Sequence, residues 1–119
     1  MNTLNRVTLM GTLGKDKKIE KGEYAQLSLA TYDFWDDTHG DFTQNVDWHT
    51  VTIFNEEFLE TIVPSLKKGD LVFVEGTLKT SQWTDALGNS HQISEVVVGR
   101  GMGSVLRLKP SLEVLDDEG

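Results

Sequence analysis

Trp35, Trp48, Phe54 and Trp83 are the side chains with the most to offer chemically. A flat aromatic ring held out to solvent stacks on any partner that has a π face. Side chains of a strand alternate between two faces. Along residues 46–54, His49, Val51 and Ile53 therefore share one face, and Val46, Trp48, Thr50, Thr52 and Phe54 the other. With Val51 and Ile53 in a core, Trp48 and Phe54 point outward together. Two large rings on an outer face form either a stacking surface or a subunit contact, and stacking is the expectation. Trp35 and Trp83 sit near loops, where a ring either stacks on a ligand or caps the core.

Other constellations carry less. His49 has no accompanying serine or carboxylate motif, so nucleophilic catalysis is not expected. The absence of cysteine excludes disulfides, zinc–thiolate sites and thiol nucleophiles. Asp36, Asp37, His39 and Asp41 lie close together, but a metal site needs ligands converging in a defined geometry. A polar loop without metal is the expectation. Gly99, Gly101 and Gly103 are spaced like part of a phosphate loop, yet no Gly-Lys-Ser/Thr follows and no βαβ unit surrounds them. They read as a flexible strand junction. No nucleophile elbow or zinc-protease motif occurs, so neither catalytic residues nor a cofactor are expected. The first six residues do not read as a secretory signal. No apolar run approaches the roughly 20 residues of a membrane helix. The expectation is a cytoplasmic protein that does not enter a membrane.

The elements that must position these rings are short and mostly extended. A length of 119 residues allows one domain. Residues 7–10 read as a first strand, followed by a polar stretch at 15–22. Residues 24–32 alternate Ala25, Leu27 and Leu29 with Gln26, Ser28 and Ala30, the period of a half-buried strand. Residues 33–44 read as a polar loop with a turn at 38–41, and 46–54 as the third strand. Asn55 is a good helix N-cap with Glu56 and Glu57 behind it. Phe58, Leu59, Ile62, Val63 and Leu66 form one apolar stripe, with Pro64 expected to end or kink the helix near Val63. Lys67 and Lys68 suit a helix C-terminus and Gly69 a helix stop. Residues 71–84 form a long strand with Val72, Val74 and Leu78 inside, Phe73, Lys79 and Trp83 outside, and a bend at Gly76. A hairpin loop at 85–89, a strand at 91–98 and a last short strand at 105–108 follow. The fold class is all-β with one helix. Three strands, a helix and two strands is the order of the OB-fold, a five-stranded Greek-key barrel that binds oligonucleotides and oligosaccharides. The domain is expected over residues 1–109, with a short acidic tail over 110–119.

The net charge of −8 runs against a nucleic-acid ligand. Glu113, Asp116, Asp117 and Glu118 account for part of it, yet residues 1–110 still carry 15 acids against 11 bases. Net charge is a weak guide when charge is segregated, because binding depends on the local field in a groove.

Several strings, in order, resemble the bacterial single-stranded DNA-binding protein family. Residues 5–14 (NRVTLMGTLG) resemble its opening strand. Leu29-Ala30-Thr31 followed by Trp35, then Asp47-Trp48-His49 with Phe54, resemble its second and third strands. Leu66-Lys67-Lys68-Gly69-Asp70 and Val74-Glu75-Gly76-Thr77-Leu78 resemble the helix exit and fourth strand. Trp83-Thr84-Asp85 with Gly88, then Glu95-Val96-Val97-Val98, resemble the last hairpin. The resemblance spans residues 4–108 and implies sequence-independent binding of unpaired DNA, with Trp35, Trp48, Phe54 and Trp83 as base-stacking residues. It also implies a homo-oligomer, a tetramer in preference to a dimer. On this reading Arg6 and Lys79 meet phosphates, as do Lys67 and Lys68 unless they only serve the helix end. His49 and Phe73 belong to subunit contacts, with a structural histidine as the alternative for His49. Lys15, Lys17, Lys18 and Lys21, interleaved with acids, read as solvated surface.

The chain departs from the family where the family is basic. Ser81 and Gln82 flank Trp83, Thr50 follows His49, and Glu56 and Glu57 open the helix. Fewer phosphate contacts mean weaker binding and a shallower salt dependence, at about −0.7 per neutralised phosphate on single strands. The family's long tail ending in acids and Pro-Phe has no counterpart in Leu115-Asp116-Asp117-Glu118-Gly119, which leaves recruitment of replication and repair proteins unassigned. The alternative reading is an accessory OB-fold that binds a replication protein and DNA only weakly.

Overall fold

The computed structural model describes residues 2–111. The tail acids Glu113, Asp116, Asp117 and Glu118 lie outside the described residues. In chain order the elements are β1 (Val7–Glu20), β2 (Tyr24–Asp36), β3 (Phe42–Ile53), α1 (Glu56–Glu60), a 3-10 turn at Val63–Ser65, β4 (Leu71–Thr84), β5 (Ser90–Val98) and β6 (Ser104–Lys109). The strands run β1-β2-β3-β5-β4, and a β1–β4 pairing closes the ring. All these ladders are antiparallel except the short parallel one between β3 and β5. This is the expected five-stranded OB barrel. The last strand, β6, lies outside the ring against residues 71–75 of β4.

The core forms because apolar residues at every second position face inward. Leu27 and Leu29 from β2, Val51 and Ile53 from β3, Val72 and Val74 from β4, and Val96 and Val98 from β5 are all buried. Val63 and Leu66 join them, with Phe58, Leu59 and Ile62 packed alongside. Burying a side chain of this kind contributes about 1.5–3 kcal/mol. At Gly76 a Cβ would collide with the Val97 carbonyl, so β4 bends there against β5 as only glycine allows.

Three expectations are corrected. The polar stretches at 15–22 and 33–44 are largely strand, not loop. β1 and β2 pair as far as Glu20↔Tyr24, and β2 and β3 pair from Ala25↔Ile53 out to Asp36↔Phe42. The β2–β3 hairpin thus projects past the core, both faces meet water, and no apolar alternation is needed there. Its turn is capped by Asp37, whose Oδ1 accepts from the backbone N–H groups of His39 (2.8 Å) and Asp41 (2.9 Å).

The second correction concerns the helix. Asn55 caps it as expected, accepting from Phe58 N–H at 3.1 Å, but α1 stops at Glu60. Pro64 then sits at the start of the 3-10 turn. The apolar stripe is real while the backbone beneath it changes type. Lys67 and Lys68 consequently flank no helix end. The cation that meets the carbonyls there is Lys17, whose Nζ donates to Leu66 O at 2.8 Å. Third, Leu78 is half exposed. Past the bend, its backbone N–H and C=O are bound by the side-chain amide of Asn5, at 2.9 Å each. Asn5 thereby extends the β1–β4 pairing with a side chain.

The start of β4 and the middle of β1 are also tied to Ser111. Asp70, 1% exposed, accepts from Lys67 N–H (2.9 Å) and from Ser111 N–H (2.8 Å), and Arg107 lies 3.6 Å away. The turn it anchors bonds back to β1, with Gly69 N–H donating to Leu13 O and Leu13 N–H to Asp70 O.

Candidate nucleic-acid interface

Cross-strand partners project from the same face of an antiparallel ladder. The register Ala30↔Trp48, Ser28↔Thr50 and Gln26↔Thr52, with Thr77↔Val97, Lys79↔Glu95, Ser81↔Ile93 and Trp83↔His91, therefore traces one outer face across β2, β3, β5 and β4. Trp48, Lys79 and Trp83 all lie on it, as strand parity requires. Trp48 is 63% exposed. Its ring lies across Gly14 of β1, where an added Cβ would stand 2.7 Å from Trp48 Cζ3. Glycine is what lets the indole lie flat against the strand.

Trp48 forms one wall of a groove of about 620 Å³, lined also by Gly14, Lys15, Ser28, Tyr32 and Lys68. A narrow crevice beside it is lined by Lys15, Lys17, Lys67 and Lys68. These lysines come from two distant places in the chain, β1 and the turn before β4, and the fold brings them to one spot. A positive patch beside an aromatic wall thus exists inside an acidic protein. Lys15 and Lys17, read from sequence as solvated surface, belong to this patch; only folding brings them next to Lys67 and Lys68.

Phe54 is half-buried rather than open. Its ring packs on Tyr24 with centroids 6.1 Å apart, and Lys18 Nζ sits 5.8 Å from the Tyr24 centroid. The Tyr24 hydroxyl holds the Lys18 ammonium above its usual range, with its own charge and that of Glu20 acting the same way. Sequence reading missed Lys18 and Tyr24, although the alternation of Tyr24 with Ala25 placed Tyr24 outward. Lys79 stands opposite Glu95, whose Oε2 accepts from Thr52 Oγ1 at 2.6 Å. The middle of the face therefore holds a carboxylate. Arg6 is exposed at the mouth of β1, and the neighbouring Asn5 clamp holds it beside residues 77–79 of β4.

Trp35 is not brought together with the others. It pairs with Thr43, on the opposite face of the β2–β3 hairpin from Trp48, and shares that face with Asp33 and Asp47. His49 also has the inner parity. It is half-buried, with Nε2 2.8 Å from Thr31 Oγ1. Phe73 lies elsewhere again, in a row with Met10 of β1 and Leu106 of β6 on the far side of the barrel.

At the tip of the β4–β5 hairpin, Trp83 stacks on His91, with centroids 5.2 Å apart and planes 21° from parallel. His91 Nε2 is 2.7 Å from Asp85 Oδ2. That hydrogen bond, with those from the Asn89 and Leu87 backbone N–H groups, holds the Asp85 carboxyl below its ordinary range. A carboxylate depressed on folding stabilises above its unfolded pKa and stops doing so as pH falls through its folded value. The tip is therefore expected to loosen only in acid, as pH falls through and below the ordinary carboxylate range, read as a change in Trp83 emission or His91 ring signals. Asp85→Asn is expected to show the loosened signals already at neutral pH.

Comparison with known proteins agrees with this geometry. The profile of the Single-strand binding protein family matches residues 4–103. A single-stranded DNA-binding protein of Rhizobium meliloti is 34% identical over 111 residues, covering 89% of this chain; the chain spans 63% of that relative's length. Among solved structures, the Plasmodium falciparum SSB in complex with ssDNA superposes with a TM-score of 0.79 at 31% identity, covering 92% of this chain and 98% of that one. The single-stranded DNA-binding protein from Thermus aquaticus gives a TM-score of 0.64 at 30% identity, covering 88% of this chain and 51% of that one. A mitochondrial single-stranded DNA-binding protein from S. cerevisiae, at 19% identity and a TM-score of 0.66, shares the fold over 92% of this chain and all of its own. With the barrel, the outer aromatic face and these matches in agreement, the chain belongs to the single-strand binding protein family.

Proposed function

We propose that this protein binds single-stranded DNA without sequence specificity and shields it during replication, recombination or repair, with no catalytic step. The observation that carries this reading is the exposed Trp48 ring beside the lysines of β1 and the β4 turn. Bases stack on Trp48, Phe54 and Trp83, and on Trp35 where the strand rounds the edge of the β2–β3 hairpin. Lys67, Lys68, Lys79 and Arg6 meet phosphates. Duplex DNA is rejected because its base faces are already stacked and cannot reach the rings. Titration with oligo-dT at two salt concentrations tests it. Saturating tryptophan quenching with a shallow salt slope supports the proposal, and an unquenched, inert protein at low salt refutes it.

The proposal extends to assembly. The row Met10–Phe73–Leu106 is an apolar strip with half-exposed members, suited to packing one copy on another, and we assign His49 to a second contact. A homotetramer is favoured over a dimer, and light scattering at micromolar concentration reads the mass. Among the described residues no helix is long and apolar enough to cross a membrane. A cytoplasmic, nucleoid-associated setting fits a DNA ligand.

A further inference from the structure

We propose that Tyr32 and Phe34 form an additional base-stacking platform that carries the DNA strand from the Trp48 groove out along the β2–β3 hairpin. The inference rests on the single-strand-binding function proposed above and goes beyond it in assigning a route. Tyr32 pairs with Val46, and Phe34 with Gln44, so both rings share the hairpin face of Trp48. The two rings are close to parallel, 27° apart, with centroids separated by 6.1 Å. Phe34 is 57% exposed and Tyr32 42%. Tyr32 itself lines the groove whose wall is Trp48, so the surface is continuous from the lysine patch to Phe34.

Two physical arguments select bases as the occupant. The first is charge. From Trp48 out to Phe34 this face carries no acid, its other members being Ala30, Val46 and Gln44, and Asp36 follows only beyond Phe34; over the same stretch the opposite face carries Asp33 and Asp47. A polyanion is steered to the stretch without carboxylates. The second is spacing. Duplex bases are spaced at about 3.4 Å along each strand, and unstacking them moves successive bases further apart. The ring separation suits successive bases of an extended strand, one to each ring. A platform of rings also supplies affinity where the chain lacks arginines and lysines, because stacking needs no charge.

The test uses the full chain, unmodified and as Tyr32→Ala/Phe34→Ala and Tyr32→Phe/Phe34→Tyr. Each is titrated with oligo-dT at two salt concentrations, with light scattering and thermal unfolding measured alongside. The alanine pair is expected to bind at least about thirtyfold more weakly, the loss of two stacked bases. Its salt slope should be unchanged, since no phosphate contact is removed. The aromatic exchange is expected to bind as the unmodified protein does. If the unmodified protein binds and the alanine pair binds equally well, the platform is wrong and the single-strand-binding reading stands. If the alanine pair loses affinity together with a changed oligomeric mass or a lowered unfolding temperature, the rings are a protein contact and the inference fails. If the unmodified protein does not bind at all, both fall.

Discussion

Replacing Trp48 by alanine is expected to weaken oligo-dT binding by about 5- to 150-fold, the equivalent of one stacked base at about 1–3 kcal/mol. Trp48 should show the largest effect among the aromatics. It is the most exposed of the tryptophans and the one that borders the lysine patch. Phe54 already shares a face with Tyr24, Trp83 is stacked on His91, and Trp35 shares its face with Asp33 and Asp47. The salt slope should not move, because no cation is lost. Trp48→Phe should recover most of the affinity. Gly14→Ala provides an independent check. Its methyl would push the indole off β1, and an exposed ring can yield at little cost in stability. Weakened binding with a near-normal unfolding temperature is the expected result. Undiminished quenching and affinity in Trp48→Ala would show that DNA passes elsewhere.

Asp70→Ala is expected to cost about 3 kcal/mol in stability, since two backbone N–H groups, one buried and one partly buried, lose their acceptor at once. In a domain of this size that lowers the unfolding temperature by roughly 10 °C. Asp70→Asn should lie between the two. Its single carbonyl oxygen can serve one N–H, while its amide nitrogen confronts the other donor. The damage should also reach the binding face. The turn held by Asp70 carries Lys67 and Lys68 and bonds to Leu13 of β1, so DNA affinity is expected to fall and Ser111 to become accessible to protease. Thermal unfolding and limited proteolysis read these effects. A normal unfolding temperature in Asp70→Ala would mean that the buried carboxylate contributes little.

Much of the barrel was legible in the chain because burial writes a period into sequence. β4 was read with its observed ends, since buried Val72 and Val74 alternate with half-buried neighbours and Gly76 marks the bend. The outward direction of Trp48 followed from Val51 and Ile53 alone. Where an element leaves the core, the pattern vanishes. Residues 33–44 read as loop because both faces of the hairpin are wet there, and for that reason Phe34 was not weighed as a stacking ring. A signal was present: Tyr32, Phe34 and Trp35 make that stretch rich in residues that favour strands. The helix failed differently. The stripe through Phe58, Ile62 and Leu66 packs on the core and a break was expected at Pro64, but an apolar stripe does not reveal that the backbone changes from α to 3-10. The lysine patch could not be read at all, because Lys15 and Lys68 become neighbours only through the bonds that join Leu13 to Gly69 and Asp70.

β4 pairs with β1, β5 and β6, and this has a consequence for biosynthesis. The hairpin ladders β1–β2 and β2–β3 form between segments close in sequence, whereas Leu9↔Val74 joins residues far apart. A ribosome that has delivered only the first three strands has released a meander whose apolar side still faces water, and slow, non-local pairing must follow before that side is sealed. Folding therefore waits on β4 at the earliest, and until its arrival the nascent chain depends on staying dilute or being chaperoned.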